Sequence, residues 1–135
     1  MIDIDVALRL RAAGLPWDPE DGDRFALDTE DLREESFLLA SMVVERARGR
    51  TGTAVLRFNG TTEWALDSVE QHEAVWLPRE DQLRSALGTA FRALRRTDDG
   101  GFAVDVLLPG GEERTIPAPS AEDALAGALL VTLSA

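Results

Sequence analysis

The sequence of 135 residues contains no cysteine, no lysine and no tyrosine. Without cysteine the chain has no thiol nucleophile, no disulfide and no thiolate ligand for zinc or iron. Without lysine it has no Schiff-base nucleophile and no P-loop lysine, and neither a G-x-x-x-x-G-K-[ST] nor a G-x-G-x-x-G pattern occurs. These absences exclude thiol catalysis and ATP hydrolysis of the usual kind.

The chain has a single histidine, His72. One imidazole excludes a two-histidine zinc motif and the facial triad of a non-haem iron enzyme. Ser68 precedes His72 by four residues, but no G-x-S-x-G motif accompanies it, so we interpret His72 as a solvent-facing residue. Glu70 and Glu73 beside it form a metal pattern of low specificity. We therefore predict no catalytic residue, no metal and no cofactor, although a carboxylate-only Mg²⁺ or Ca²⁺ site is not excluded.

Acidic residues outnumber basic ones, twenty-five to fourteen, which gives a formal net charge of −11. This charge repels a phosphate backbone, so we expect no nucleic-acid binding. It favours a basic protein partner or, as a remote alternative, DNA mimicry. The simplest interpretation is that the charge keeps the protein soluble.

The length and the composition, with 44% apolar and 29% charged residues, fit one globular domain over residues 1–135. Asp3 and Asp5 lie at the amino terminus, where no apolar run of signal length follows. The longest apolar run, Ala124 to Leu133, is about half the length of a membrane span. We predict a cytoplasmic location and no membrane contact, whereas the oligomeric state does not follow from the sequence.

The segment from Arg79 to Arg96 has the strongest helical periodicity in the chain. Pro78 suits the first helical position, and Asp98 to Gly101 would stop the helix. Gly88 inside the helix indicates a close neighbour on that side. The predicted stripe that packs on a sheet consists of Leu83, Ala86, Leu87, Ala90, Phe91 and Leu94.

The other elements follow from shorter signals. We predict a first helix over Ile2 to Ala13 that stops at Gly14, and a last helix capped by Ser120 whose alanines allow close packing on a sheet. Between them we predict strands at Phe25 to Leu27, within Ser36 to Ala47 (one bent strand or a pair), at Thr53 to Phe58, at Thr61 to Leu66 after an Asn59-Gly60 turn, and in a hairpin of Phe102 to Leu108 with Glu112 to Ile116. Asp67 to Glu70 resembles a capping box and predicts a helical turn through His72, and Val75 to Pro78 is predicted to be extended.

Four side chains form the candidate interaction surface: Trp17, Trp64, Trp76 and Arg79. Trp17 is expected chiefly to anchor its turn to the core, and Trp76 to pack at the helix entrance. After Trp17, the segment Asp18 to Asp23 holds four carboxylates. An EF-hand register fails there, because Trp17 and Pro19 would occupy ligand positions. We interpret the segment as a solvated acidic turn.

The stretch WALDSVEQHEAVWLPREDQLRSALG, from Trp64 to Gly88, together with Phe58 to Glu63, resembles a group of small acidic actinobacterial proteins of unknown function. Members of this group sometimes carry the label of a pilus assembly protein of the CpaE type. The label implies a much larger nucleotide-binding ATPase, from which this chain departs in its length, its missing phosphate loop and its lack of lysine. The resemblance therefore implies neither pilus assembly nor ATPase activity here.

We predict an α+β fold, in which three helices pack on an antiparallel sheet of about four to six strands in the order α, β strands, α, β hairpin, α. The predicted function is a non-enzymatic protein-interaction or accessory module that acts through an acidic face. One alternative is an acidic antitoxin, immunity or DNA-mimic protein. The other is a small carboxylate-dependent hydrolase, with candidate residues Asp67, Glu70, Glu73, Glu80 and Asp81.

Overall fold

The structure is a computed structural model that describes residues 1–30, 32–39, 44–48, 54–58, 68–70 and 74–135. Within 44–48, 54–58 and 68–70 the description is limited to the backbone. In the described ranges the helices are α1 Ile4–Ala12, α2 Glu80–Leu87, a 3₁₀ turn Gly88–Ala90 and α3 Ala121–Ser134. The strands are β1 Arg24–Leu27, β2 Phe37–Leu38, β3 Val44–Arg48, β4 Ala54–Phe58, β5 Ser68–Glu70, β6 Ala74–Trp76, β7 Phe91–Arg96, β8 Phe102–Leu107 and β9 Glu113–Ala118.

The described strands form three antiparallel sheets of three strands each, in the orders β2-β1-β6, β3-β4-β5 and β7-β8-β9. The α+β class and the presence of three α-helices agree with the sequence prediction. A sheet of four to six strands does not occur among the described residues. The chain divides into two compact units, Trp17–Leu77 and the combination of Met1–Pro16 with Pro78–Ala135. That residues 1–135 form a single domain stays a prediction.

Helix α1 ends at a glycine, as predicted. Gly14 has a φ of 102°, and its N–H donates to the carbonyl of Arg11 while the N–H of Leu15 donates to that of Leu10. This pair of bonds is the Schellman arrangement, which satisfies carbonyls that the helix leaves unpaired. The buried side chains are Ala7 and Leu10, which share a face because they are three residues apart.

Helix α2 is shorter than predicted and begins one residue later. Arg79 is its N-cap, and its backbone N–H donates to Oε1 of Gln82 at 2.9 Å. Pro78 precedes this cap and does not occupy the first helical position, which corrects the prediction. Leu83 and Leu87 are buried, as expected from their spacing.

The predicted second half of this helix is wrong, because residues 91–96 form strand β7. Gly88 adopts φ 57° and ψ −130°, a conformation that ends the helix and that side chains with a Cβ rarely adopt. A Cβ built on Gly88 would meet no atom within 4 Å, so the predicted close neighbour is also wrong. Leu94 then pairs with Val104 of β8, and the segment from Asp98 to Gly101 joins two strands.

The hairpin of β8 and β9 confirms the prediction for this part of the chain. Val104 and Val106 are fully buried, since alternate residues of a strand share a face. The pairing continues past its predicted end, because Pro117 still lies opposite Ala103. Strand β9 is at the edge of its sheet, where a proline without an N–H is tolerated.

Helix α3 lies directly against this sheet. The Ser120 Oγ accepts a hydrogen bond from the Asp123 N–H at 3.1 Å, which confirms the predicted cap. A Cβ on Gly127 would lie 3.0 Å from Cγ2 of Ile116 in β9, so a small residue is needed at this contact. The fully buried side of α3 consists of Ala124, Leu125, Ala126, Ala128 and Leu129.

In the Trp17–Leu77 unit, β1, β4 and the extended segment at β6 agree with the predictions. The predicted helical turn is wrong at Ser68–Glu70, where β5 pairs with Val55–Arg57 of β4. Cross-strand pairing thus overrides the capping-box pattern. The segment Ser36 to Ala47 contains β2 and all but the last residue of β3, and these strands belong to different sheets. The predicted turn at Asn59-Gly60 and the strand Thr61 to Leu66 lie outside the described residues.

Candidate functional site

Two residues of the predicted interaction surface, Trp17 and Trp76, come together in the structure. Their ring centroids are 6.3 Å apart and their planes differ by 4°. Trp76 lies in β6 opposite Phe25 of β1, and Trp17 precedes β1. Both indoles are half-buried. The pair therefore forms a continuous aromatic surface of the kind that is common at protein interfaces.

A buried carboxylate fixes the position of Trp17. Asp23 is 2% exposed, and its Oδ2 accepts hydrogen bonds from Nε1 of Trp17 at 2.9 Å and from the N–H of Glu20 at 3.0 Å. A buried charge needs such donors. The prediction that the whole segment Asp18 to Asp23 is solvated is therefore wrong for Asp23, whereas Asp18, Glu20 and Asp21 are exposed.

The backbone around Asp23 is held just as firmly. Gly22 donates its N–H to the carbonyl of Leu39, and Leu39 donates its own to the carbonyl of Asp23, both at 2.8 Å. These bonds tie the acidic turn to the end of β2. The turn that carries Trp17 is thus held by hydrogen bonds on both sides of Asp23.

The indole pair rests on a small apolar core. Trp17 packs partly against this core, which confirms that it anchors its turn, and its ring lies 6.3 Å from that of Phe25. The buried members of the core are Phe25, Leu27, Leu39 and Ala74, and the half-buried ones are Trp17, Leu32 and Phe37. Trp17 therefore serves both the core and the surface.

Trp76 differs from Trp17 in the hydrogen bonding of its indole N–H. Its Nε1 is buried and donates to no acceptor in the described part of the chain. A buried donor without an acceptor costs about 1–3 kcal/mol. Trp76 belongs to β6 and stacks on Trp17, while its predicted packing at the entrance of α2 stays a prediction.

The other two members of the predicted surface are not part of the indole pair. Trp64 lies outside the described residues. Arg79 belongs to the other compact unit, where its Nε lies 3.1 Å from Oδ1 of Asp81 and both side chains are exposed. The hydrogen bond from Arg79 lowers the pKa of Asp81. Arg79 is therefore the N-cap of α2 and forms an ion pair with a residue of its first turn.

The second compact unit carries a polar network that the sequence did not reveal. Asp105 in β8 accepts two hydrogen bonds from the guanidinium of Arg95, both at 3.1 Å, and one from Oγ1 of Thr115 at 2.6 Å. Arg95 first, and then Thr115, lower the pKa of Asp105. The network connects three strands. The sequence prediction missed this network because it placed Arg95 in a helix. Recognising Gly88 as the end of that helix would have allowed Arg95 to be placed in a strand.

The described carboxylates give no support to acid–base chemistry. The resolved pKa shifts of carboxyl groups are downward: Arg79 lowers that of Asp81, Thr97 that of Asp99, and Arg95 that of Asp105. A general acid needs a raised pKa instead. Within the same described ranges, no group of three or more histidine, aspartate or glutamate residues is placed to hold a metal ion. The candidates His72, Glu73 and Asp67 lie outside these ranges.

The two units differ in charge. Residues 17–77 hold fourteen acidic residues against six arginines, a formal charge of −8, whereas the rest of the chain holds eleven against eight, a formal charge of −3. The indole pair therefore belongs to the more acidic unit.

Comparisons with family models, with curated proteins and with solved structures gave no match. The resemblance to small acidic actinobacterial proteins therefore stays a prediction. Among the helices of the described residues, none has the length and apolar character needed to cross a membrane.

Proposed function

We propose that this protein is a non-enzymatic interaction or accessory module of the cytoplasm that binds a basic protein partner. The contact surface is the stacked pair Trp17 and Trp76 with the exposed carboxylates that follow Trp17. The observation that carries the proposal is the parallel arrangement of the two half-buried indoles, 6.3 Å apart.

The aromatic pair supports the proposal because tryptophan is enriched among the residues that dominate binding energy at protein interfaces. The Asp23 carboxylate holds the Trp17 ring through Nε1, so the surface is ordered before a partner arrives. Such preorganisation lowers the entropic cost of association.

The charge supports a basic partner. Asp18, Glu20 and Asp21 are exposed within four residues of Trp17, in a unit with a formal charge of −8. Complementary charge accelerates encounter and suppresses binding to acidic surfaces. The same charge supports the narrower alternative of an acidic antitoxin, immunity or DNA-mimic protein, which also requires a strongly basic target.

The hydrolase alternative has less support. Of its candidate carboxylates, Asp81 has a lowered pKa because of Arg79, whereas a catalytic acid requires the opposite shift. Asp67 and Glu73 lie outside the described residues, and only the backbone of Glu70 is described. The interaction module is therefore the function that the described geometry supports best.

The test is affinity capture from the native host with the wild-type protein and two variants. Trp76→Ala removes half of the indole pair, and Leu38→Ala is a control because Leu38 is a large apolar residue that is 54% exposed. We expect a positively charged protein that binds the wild type and Leu38→Ala, is lost with Trp76→Ala, and is released by salt. Equal recovery by all three proteins would contradict the proposal.

A further inference from the structure

An open concavity of about 440 Å³ lies where the turn between β7 and β8 meets the end of β9. Its wall combines one carboxylate with apolar side chains: Asp99 and Thr97 come from the turn, Phe102 from β8, and Pro117 and Pro119 from β9 and the residues after it. A concave surface with apolar sides and a single charge has the general composition of a ligand site.

The turn holds the Asp99 carboxylate in place. Oδ1 of Asp99 accepts a hydrogen bond from Oγ1 of Thr97 and another from the N–H of Gly101, the latter at 3.1 Å. The bond from Thr97 is the main reason that the pKa of Asp99 is lowered. Both of these bonds involve Oδ1, and Asp99 is exposed. An ordered carboxylate at the wall of the concavity is therefore accessible to a donor.

The close packing of this turn depends on Gly101. A Cβ at this position would lie 2.8 Å from the carbonyl oxygen of Ala118 and 3.3 Å from Oδ1 of Asp99. The absence of a side chain lets the end of β9 approach the turn, which brings Pro117 and Pro119 next to Asp99. The wall of the concavity is thus set by backbone packing.

The aromatic part of the site already contacts a guanidinium. Cζ of Arg96 lies 5.3 Å from the centre of the Phe102 ring, within the range of a cation–π contact. Planar guanidinium groups stack on rings and donate to carboxylates, whereas an ammonium is a compact and strongly hydrated charge. Proline rings provide apolar contacts for the aliphatic part of an arginine side chain.

We infer that this concavity binds an arginine side chain of the partner protein, with the guanidinium donating to Oδ2 of Asp99 and its stem lying against Phe102 and Pro117. The inference rests on the proposed function, because it takes the partner to be a basic protein. An arginine is expected here because its positive charge complements the Asp99 carboxylate, whose position is fixed by the turn. Lysine is the weaker ligand, because an ammonium does not stack.

The test is an NMR titration of the ¹⁵N-labelled protein with N-acetyl-arginine methylamide and, separately, with the lysine equivalent. We expect the arginine probe to shift the amide signals of residues 97–102 and to bind more tightly than the lysine probe. Asp99→Asn keeps the amide oxygen that accepts from Thr97 and Gly101 but removes the charge. It should weaken arginine binding about tenfold, the size expected for loss of a charge-assisted hydrogen bond.

Asp98→Asn is the matched control, because it removes the same charge from the neighbouring residue, which does not line the concavity. It should leave binding within about twofold of wild type, since an exposed charge outside the site acts only through screened attraction. Phe102→Leu should weaken arginine binding while the rest of the spectrum stays dispersed.

Equal weakening by Asp98→Asn and Asp99→Asn, or equal binding of the two probes, would overturn the inference. If the arginine probe fails while Trp76→Ala still abolishes partner capture, only the arginine site is wrong. If the probe binds while Trp76→Ala leaves capture unchanged, the proposed indole surface is wrong instead.

Discussion

The two compact units use their charged residues differently. In the unit that contains Pro78–Ala135, Asp81, Asp99 and Asp105 each accept hydrogen bonds that lower their pKa. In the Trp17–Leu77 unit, the excess of carboxylates is larger and exposed acidic residues follow the stacked indole Trp17. The comparison shows hydrogen-bonded carboxylates on the strands and turns of the unit that contains Pro78–Ala135, whereas in the Trp17–Leu77 unit exposed carboxylates lie in sequence beside a stacked aromatic pair.

The largest change in stability is expected for Leu83→Ala, which also tests whether the two units unfold together. Leu83 is fully buried, and truncation of a buried leucine costs about 2–5 kcal/mol of unfolding free energy. All three tryptophans lie in residues 17–77, so fluorescence reports one unit while circular dichroism reports both. Coincident urea transitions, with both midpoints lowered by the mutation, would show that the units unfold together. A fluorescence transition that the mutation leaves unchanged would show that they are independent.

Gly88→Ala should destabilise by about 1–3 kcal/mol, because alanine does not readily adopt a positive φ at this position. The effect cannot come from a steric clash, since no atom lies within 4 Å of the added Cβ. Chemical denaturation measures the change, and Ser85→Ala on the exposed side of α2 is the control. An increase in stability with Gly88→Ala would indicate that the helix continues through this residue.

Trp17→Phe keeps an aromatic ring but removes the donor to Asp23. We expect a loss of about 1–3 kcal/mol, because a buried carboxylate then lacks one of its hydrogen bonds. Thermal unfolding followed by circular dichroism measures this loss. Asp23→Asn should partly restore stability in the Trp17→Phe background, since a buried neutral amide tolerates the loss of one hydrogen bond better than a buried carboxylate does. If the losses of stability caused by Trp17→Phe and Asp23→Asn simply add in the double variant, the structural role of this hydrogen bond is contradicted.

The smallest effect concerns pH and the network around Asp105. Its folded pKa is lowered, chiefly by Arg95 and then by Thr115. The ionised group therefore adds stability above its unfolded pKa, and this contribution disappears as pH falls through the folded pKa. We expect a slightly lower Tm for Asp105→Asn at neutral pH, with the difference vanishing in acid. A difference that persists in acid would assign the effect to packing. Adding Arg95→Gln to the Asp105→Asn variant should lower its Tm no further.

Much of the fold was predictable because its signals are local. Gly14 and Ser120 mark helix ends because their hydrogen bonds involve only residues close to them in sequence. The alternation of apolar residues in β8 likewise predicts which face of that strand is buried. The continuous helix to Arg96 was wrong, because Phe91 and Leu94 fit a helical spacing by coincidence. Gly88 ends the helix, and the pairing of Leu94 with Val104 makes the following segment a strand.

The candidate site was predictable only in part. The sequence identified Trp17 and Trp76 as surface candidates, but their stacking depends on a contact between residues 59 positions apart. It also did not distinguish Asp23 from the neighbouring carboxylates. Burial selects Asp23 because the hydrogen bonds between Leu39 and the backbone of Gly22 and Asp23 enclose it, and such tertiary contacts leave no local pattern.

The central claim is that the indole pair and its acidic surroundings bind a basic protein. The most direct test is site-specific photo-crosslinking in the native host, with a benzophenone amino acid at the exposed position of Asp21 and, as a control, at the exposed Ser85 of α2 in the other unit. We expect a positively charged protein to be crosslinked from position 21, not from position 85, and to be lost when Trp76→Ala is added. A neutral or acidic product, or one that survives Trp76→Ala, would contradict the claim.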